Sequence, residues 1–199
     1  MNVYLCSQTL MKFHPSFDAA LHGITAADPD AVVVITYNSN QVMWKRVLES
    51  RIANARVVFV ESMEKAKFYR LLRGAAVVLD TFPFGGGVTA LETFAAGNVI
   101  VSWPGAQSVV NIVSGFYERM LGGGGASKGG MVVGSLEEYI EVAVGIATDG
   151  RRKREWVERV GEKAGLLYGD DVGGEWGDMF VGAMQRVVRP MCEDAGFDK

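Results

Sequence analysis

Two cysteines and two histidines are all the thiol and imidazole ligands that 199 residues offer a metal. Cys6 and Cys192 lie near opposite ends, too few and too isolated for a disulfide framework or a zinc site, and neither His14 nor His22 has a cysteine cluster beside it. No metal site or cofactor is therefore expected, and so little cysteine fits a reducing, cytoplasmic compartment, with the nucleus also open. No apolar run approaches the ~20 residues that cross a bilayer. The apolar start, residues 1–6, has neither a basic leader nor a small-residue cleavage site, so it reads as a strand. Charge excess is missing too: a net charge of −3 argues against nucleic acid or an anionic membrane as partner.

What remains is an ordinary globular composition, 49% hydrophobic and 22% charged, expected to form a single domain over residues 1–199. Apolar runs of strand length at 3–6, 31–36, 56–60, 75–79 and 99–102 alternate with helical patterns at 42–53, 63–73 and 88–96, and Pro15–Ser16 opens another helix that Asp28-Pro29-Asp30 stops. Near-continuous Val/Ile runs between amphipathic helices mean strands buried on both faces. The expected class is α/β, a Rossmann-like parallel sheet with helices on both faces. Beyond it the spacing predicts a helix over 108–120, a short strand over 131–133 and helices over 137–148 and 151–167. The basic run at 151–154 is followed by Glu155, Glu158 and Glu162 at helical spacing, which makes it a solvated helix face. Trp176, Met179, Phe180 and Met184 suggest a last helix packing back on the domain, with disorder expected from about 186.

Glycine is abundant, at 25 residues, and its chemistry concentrates in the turn from Leu79 to Glu92. A buried run ends in Asp80, turns through Pro83, Gly85, Gly86 and Gly87, and opens a helix at Val88 and Thr89. In an open parallel sheet ligands bind beyond the carboxyl ends of the strands. Glycines let the backbone approach an anion closely, and the amides of the turn and helix start point at it. A phosphate or diphosphate is the guest this pattern suits. Glu92 stands three residues after Thr89 and four after Val88, so its carboxylate can accept from the vicinal hydroxyls of a ribose; complementing the helix dipole is the alternative, and spacing alone leaves both open. Residues 85–90 formally satisfy G-x-G-x-x-A, but after the fourth strand, and Val101-Ser102-Trp103 supplies no acid at the end of the next, which argues against a dinucleotide fold. The glycine-rich stretch 122–130 is no P-loop, because Ala126-Ser127 precede Lys128, and reads as a surface loop.

Taken in order, Gln8, Lys12-Phe13-His14-Pro15, residues 56–60, Lys65, residues 78–87, Thr89, Glu92, Ala96-Gly97 and Ser102-Trp103-Pro104-Gly105 resemble the C-terminal half of the catalytic region of O-linked N-acetylglucosamine transferases, and are similar to the related plant-type protein O-fucosyltransferases. The likeness spans roughly residues 1 to 185, and the Leu-Asp-Thr-Phe-Pro-Phe-Gly-Gly-Gly run is its specific part. It implies the C-terminal lobe of a GT-B glycosyltransferase, which holds UDP-GlcNAc while an inverting transfer places the sugar on Ser or Thr of a protein. Lys12 matches the family lysine on the diphosphate and would stabilise charge growing on departing UDP, with no metal needed. Gln8 lies near a family glutamine, Lys65 matches a lysine on the nucleoside side, and Glu92 matches the ribose acid. Gly86, Gly87, Val88 and Thr89 fall in the phosphate-holding segment, where animal enzymes carry His-Thr-Thr in place of residues 87–89.

The same resemblance implies a facing N-terminal lobe, with tetratricopeptide repeats in some members, neither of which falls within these residues. On that basis the 199 residues are expected to be a fragment that binds UDP weakly and transfers nothing alone; a stand-alone, non-catalytic sugar-nucleotide module is the alternative. Neither His14 nor His22 inherits the family's reaction-centre histidine, since His14 is expected to enter a helix and His22 to lie within it. GlcNAc and fucose donors, and with them UDP and GDP, are not distinguished.

Overall fold

The computed structural model describes residues 1–104, 111–122 and 130–169 and, beyond them, positions 173–174, 177–182 and 185. Residues 105–110, the glycine-rich 123–129, Trp176, Met184, Cys192 and the tail from about 186 lie outside the described residues. Two compact units are present, Met1–Leu167 and Tyr168–Lys199. In the second, the described positions 173–174, 177–182 and 185 are helical.

Five parallel strands, β1 (Asn2–Cys6), β2 (Ala31–Tyr37), β3 (Val57–Glu61), β4 (Val77–Leu79) and β5 (Ile100–Val101), form one sheet in the order β3-β2-β1-β4-β5. Every registered pair is parallel. Burial falls from the centre of the sheet toward the β3 edge. Tyr4, Leu5 and Cys6 in the central strand and Val77 and Leu79 beside them are fully covered, each large side chain contributing roughly 1.5–3 kcal/mol of burial, whereas the edge strand β3 leaves Val58 exposed.

The connecting helices are α1 (Pro15–Ala27), α2 (Val42–Arg51), α3 (Lys65–Gly74) and α4 (Val88–Ala95), followed by α5 (Ile112–Leu121), α6 (Leu136–Thr148) and α7 (Gly150–Lys163). Their starts follow the expected signals. Pro15 occupies the first turn of α1, and His14 caps it, the ring Nδ1 accepting the Ser16 amide at 3.2 Å. Ser135 caps α6 and Asp149 caps α7 in the same way. Parallel crossovers are right-handed, so α1 and α2 cover one face of the sheet and α3 and α4 the other. On the first face α1 lies against α6, and on the second α3 meets α4.

Most element ends differ from the periodicity by a residue or two, α5 is Ile112–Leu121 where the spacing predicts 108–120, and three further differences have a visible cause. The 75–79 run starts its strand only at Val77, because the Ala75 amide is still bonded to Leu71 O and closes α3. The last helical pattern tightens after Lys163 into a 3₁₀ turn, Ala164–Leu167. Residues 131–133 contribute a single parallel bridge, Ser102 to Val132, rather than a strand, since β5 runs for only two residues before Trp103-Pro104 takes the chain out of the ladder.

The site depends on where the strand order reverses. From β1 the chain builds outward through β2 and β3, then returns past β1 to lay down β4 and β5. The carboxyl ends of β1 and β4 therefore splay apart at a topological switch point, and the loops leaving them bound a crevice.

Candidate functional site

A cavity of about 380 Å³ occupies that crevice. Ser7, Gln8, Thr9 and Lys12 line it from the segment after β1, Thr36, Tyr37, Asn38 and Gln41 from the end of β2, Ser62 from the end of β3, and Gly87, Val88 and Thr89 from the start of α4. Lys12 is the one charged side chain among these lining residues.

The geometry is built on a single buried amide. Gln8, 4% exposed, accepts from Lys12 Nζ through Oε1 at 2.9 Å and donates from Nε2 to Thr89 Oγ1 at 2.6 Å. The orientation of the amide is forced, because an ammonium only donates and must face the oxygen. Lys12 Nζ gives a second proton to Gly85 O at 2.9 Å and lies 4.7 Å from the centre of the Phe84 ring. Two of its three donors are thereby committed, and the third is open to a ligand. Thr89, already accepting from Gln8, has its own hydroxyl proton to give.

The helix start completes the donor set. Ala90 N and Leu91 N are the first amides of α4 to find a carbonyl, that of Gly87. Among the described residues the amides of Gly87, Val88 and Thr89 have no acceptor. Three unpaired amides, a threonine hydroxyl and an ammonium converging on one cavity suit an anion with several oxygens. The buried Ser7 Oγ, also without a partner among the described residues, adds a further polar group in the lining.

Asp80 underlies the turn. Its Oδ1 accepts the Gly86 amide at 2.6 Å and its Oδ2 the Ser102 hydroxyl at 2.7 Å, while Tyr139 OH donates to its backbone carbonyl at 2.8 Å. Thr81 Oγ1 closes the turn on Phe84 O at 2.7 Å, and the Phe82–Pro83 peptide is cis. Burial raises the Asp80 carboxyl to about 6, against the opposing pull of Ser102, Gly86 and Lys12; burial also lowers Lys12, against the attraction of Asp80. An acid held up in this way keeps its proton more firmly folded than unfolded. The stability it contributes is complete below the ordinary aspartate value near ~4 and is lost as pH rises through about 6. The urea midpoint of the native protein is therefore expected to fall relative to that of Asp80→Asn between about pH 4 and pH 7; parallel profiles would contradict the assignment.

Of the residues singled out from sequence, Gln8, Lys12, Gly87, Val88 and Thr89 come together in the cavity. Gly86 lies beneath it and is a glycine for want of space. A Cβ there would collide with Gln8 Nε2 and come within 3.0 Å of Thr89 Oγ1. Gly86→Ala is expected to break the Gln8–Thr89 bond and weaken pyrophosphate binding about fivefold, roughly one hydrogen bond, as read by calorimetry. Lys65 is exposed at the start of α3, its Nζ 5.7 Å from the Tyr69 ring centre, and does not line the cavity. Glu92 is half-buried one turn into α4, likewise outside the lining. Asp80 as anchor and the far wall of Tyr37, Asn38, Gln41 and Ser62 were not singled out. Their one legible signal is position, each falling at or just beyond the carboxyl end of an apolar run.

Among the described residues no cluster of His, Cys, Asp and Glu could hold a metal ion, and no helix is long and apolar enough to cross a membrane. No protein-family model matches the sequence, and no curated protein matches it. Solved structures do match. A mutant O-GlcNAc transferase from Thermobaculum terrenum superposes with a TM-score of 0.77 at 22% identity, over 98% of this chain and 37% of that one. TarM gives 0.64 at 12% identity, over 88% of this chain and 34% of that one. The C-terminal domain of LpcC, a group 1 family glycosyl transferase from Francisella tularensis, gives 0.62 at 13% identity, over 85% of this chain and 86% of that one. The chain thus has the fold of the Rossmann-like C-terminal lobe of GT-B glycosyltransferases, and spans about a third of the length of the first two proteins.

Proposed function

We propose that this fold serves here as the nucleotide-sugar-binding lobe of a glycosyltransferase, with UDP-GlcNAc as donor and Ser or Thr of a protein as acceptor. The observation that carries the reading is the Lys12–Gln8–Thr89 hydrogen-bond chain beside the three unpaired amides of residues 87–89. That donor set suits a diphosphate, and the polar far wall, Tyr37 to Gln41 with Ser62, leaves room for a nucleoside. The similarity to the Thermobaculum O-GlcNAc transferase supports GlcNAc over other sugars.

In the transfer, the acceptor hydroxyl attacks the anomeric carbon from the face opposite the UDP and releases its proton to solvent on the acceptor side, while the bond from the anomeric carbon to the phosphate oxygen breaks with inversion and UDP departs with that electron pair. Negative charge then grows on the β-phosphate. The third proton of Lys12 Nζ, the amides of Gly87, Val88 and Thr89 and the Thr89 hydroxyl are placed to stabilise it more strongly than the ground state, as catalysis requires. A cationic side chain and fixed amides in a crevice need no reorganisation to do so, and the step proceeds without a metal. A facing lobe supplies the acceptor side of the cleft.

Calorimetric titration of the 199-residue chain tests this. UDP is expected to bind, with GDP at least about tenfold weaker; preference for GDP would move the reading to a fucose-type donor, and no binding of either would sink it. Glu92→Ala separates the two roles of that acid. A ribose contact predicts about a ten- to hundredfold loss for UDP, roughly one charged hydrogen bond, and none for pyrophosphate. Equal effects on both ligands would assign Glu92 to the helix dipole alone.

A further inference from the structure

Beneath the anion site lies a carboxylate that contacts no ligand position. Asp80 is 2% exposed, and its hydrogen bond from the Gly86 amide spans the turn at its middle. A chain passing through Gly85, Gly86 and Gly87 has little intrinsic preference to hold one conformation. Gly86 N is a turn amide that is taken, and the three amides after it belong to residues that line the cavity and have no acceptor among the described residues. The carboxylate thus selects which amides are offered to a guest.

The charged and titratable groups around Asp80 do not neutralise it directly. Lys12 approaches from the segment after β1 but gives its protons to Gln8 and Gly85. Cys6 faces Asp80 from β1, Tyr117 from α5 and Tyr139 from α6, and Ser102 supplies a neutral hydroxyl from the end of β5. A polyphosphate at amides 87–89 adds negative charge on the far side of Gly86 and engages Lys12, the cation whose attraction favours the ionised acid. Both changes disfavour the ionised carboxyl. By linkage the reverse holds, and a neutral Asp80 favours the bound anion.

We propose that Asp80 is the positioning residue of the anion site: it fixes the Gly86 amide so that the amides of residues 87–89 face the ligand, and it takes up a proton from solvent when a diphosphate binds. This rests on the diphosphate reading of the crevice and adds its proton linkage. The incoming proton goes to Oδ2, whose new O–H donates to Ser102 Oγ, while Oδ1 continues to accept from Gly86. Burial, which holds the carboxyl near 6, places the exchange within reach of ordinary conditions.

Asp80→Asn mimics the neutral acid, since Oδ1 can accept from Gly86 and Nδ2 donate to Ser102. Pyrophosphate is titrated calorimetrically into native protein and this variant between about pH 5 and pH 8, in buffers of different ionisation heat so that proton uptake is counted. The ligand's own protons enter both titrations equally, so the difference belongs to Asp80. The variant is expected to bind up to about tenfold more tightly than native at the alkaline end, the factor of a one-unit shift in Asp80, and the two to converge at the acid end. Native protein should take up more protons than the variant. Parallel affinity profiles with equal uptake overturn the proposal, as does a variant weaker than native at every pH. In the ligand-free native protein the Gly86 amide proton resonance should titrate near pH 6, and a flat response also overturns it. UDP, run alongside, separates the two readings. If pyrophosphate behaves as described and UDP fails to bind, the nucleotide assignment falls and the role of Asp80 stands; if UDP binds and the pH comparison fails, Asp80 alone is misassigned; if neither ligand binds, both fall.

Discussion

Lys12→Ala is expected to lower the affinity for UDP by about ten- to a hundredfold, while the protein unfolds at nearly the native urea midpoint. A hydrogen bond to a charged partner is worth roughly 1.5–3 kcal/mol, which converts to that range. Among the described residues the side chain is the one charge in the lining, and its third donor has no protein acceptor competing for it. Truncation also frees Gln8 Oε1, so the amide that orients Thr89 loses its anchor and the helix-start donors lose part of their order. Stability is spared because Lys12 is only half-buried and the carbonyls it leaves open to the cavity can take water. Lys12→Arg should recover part of the affinity at most, since a planar fork cannot serve Gln8, Gly85 and a phosphate from the position of one ammonium. An affinity within twofold of native for the alanine variant would remove Lys12 from the site.

Phe82→Ala should cost about 3–5 kcal/mol of stability, the range for deleting a buried phenylalanine. Phe82 is 5% exposed and makes edge-on contacts with Phe17 of α1 at 5.0 Å, Trp103 at 4.7 Å and Tyr139 of α6 at 5.5 Å. It therefore ties the glycine turn to two helices and to the end of β5. Each such aromatic pair adds roughly 0.5–1.5 kcal/mol beyond its buried area. The cavity left would open beside Asp80 and Thr81, so a second effect is expected at the site, a weaker hold on pyrophosphate even where the variant is fully folded. Urea unfolding followed by near-ultraviolet circular dichroism reads the first effect, and titration well below the midpoint reads the second. A loss under about 1 kcal/mol would mean that the ring contacts are incidental to the turn.

The strands and helices of this fold are legible because their signals are local. The Val/Ile runs at 31–36 and 56–60 form strands as expected, the first largely buried and the second half-exposed because it lies at the sheet edge, and Pro15 after His14 announces a helix start that the His14 ring then caps. The strand order is not local, and much of the site depends on it. Gln8 and Thr89 stand 81 positions apart, and only the placement of β4 beside β1 brings the amide to the hydroxyl. Asp80 is visible as the acid that ends a strand, but its partners Ser102 and Tyr139 require β5 beside β4 and α6 across them.

Helical spacing sets Glu92 on the same side as Val88 and Thr89, one turn or about 5.4 Å further along the axis, and in the structure it lies outside the residues that line the cavity. Lys65 is placed by resemblance at the nucleoside side, while in the structure it points over Tyr69.

The central claim is that a nucleoside diphosphate sits on the amides at the start of α4. It is tested most directly by following the backbone amide resonances of isotope-labelled protein during titration with UDP. The largest shifts are expected at Gly87, Val88 and Thr89, with smaller ones at Gln8, Tyr37, Asn38 and Ser62, all saturating together. Saturable shifts that leave residues 87–89 unmoved, or no shifts at millimolar UDP, would contradict it.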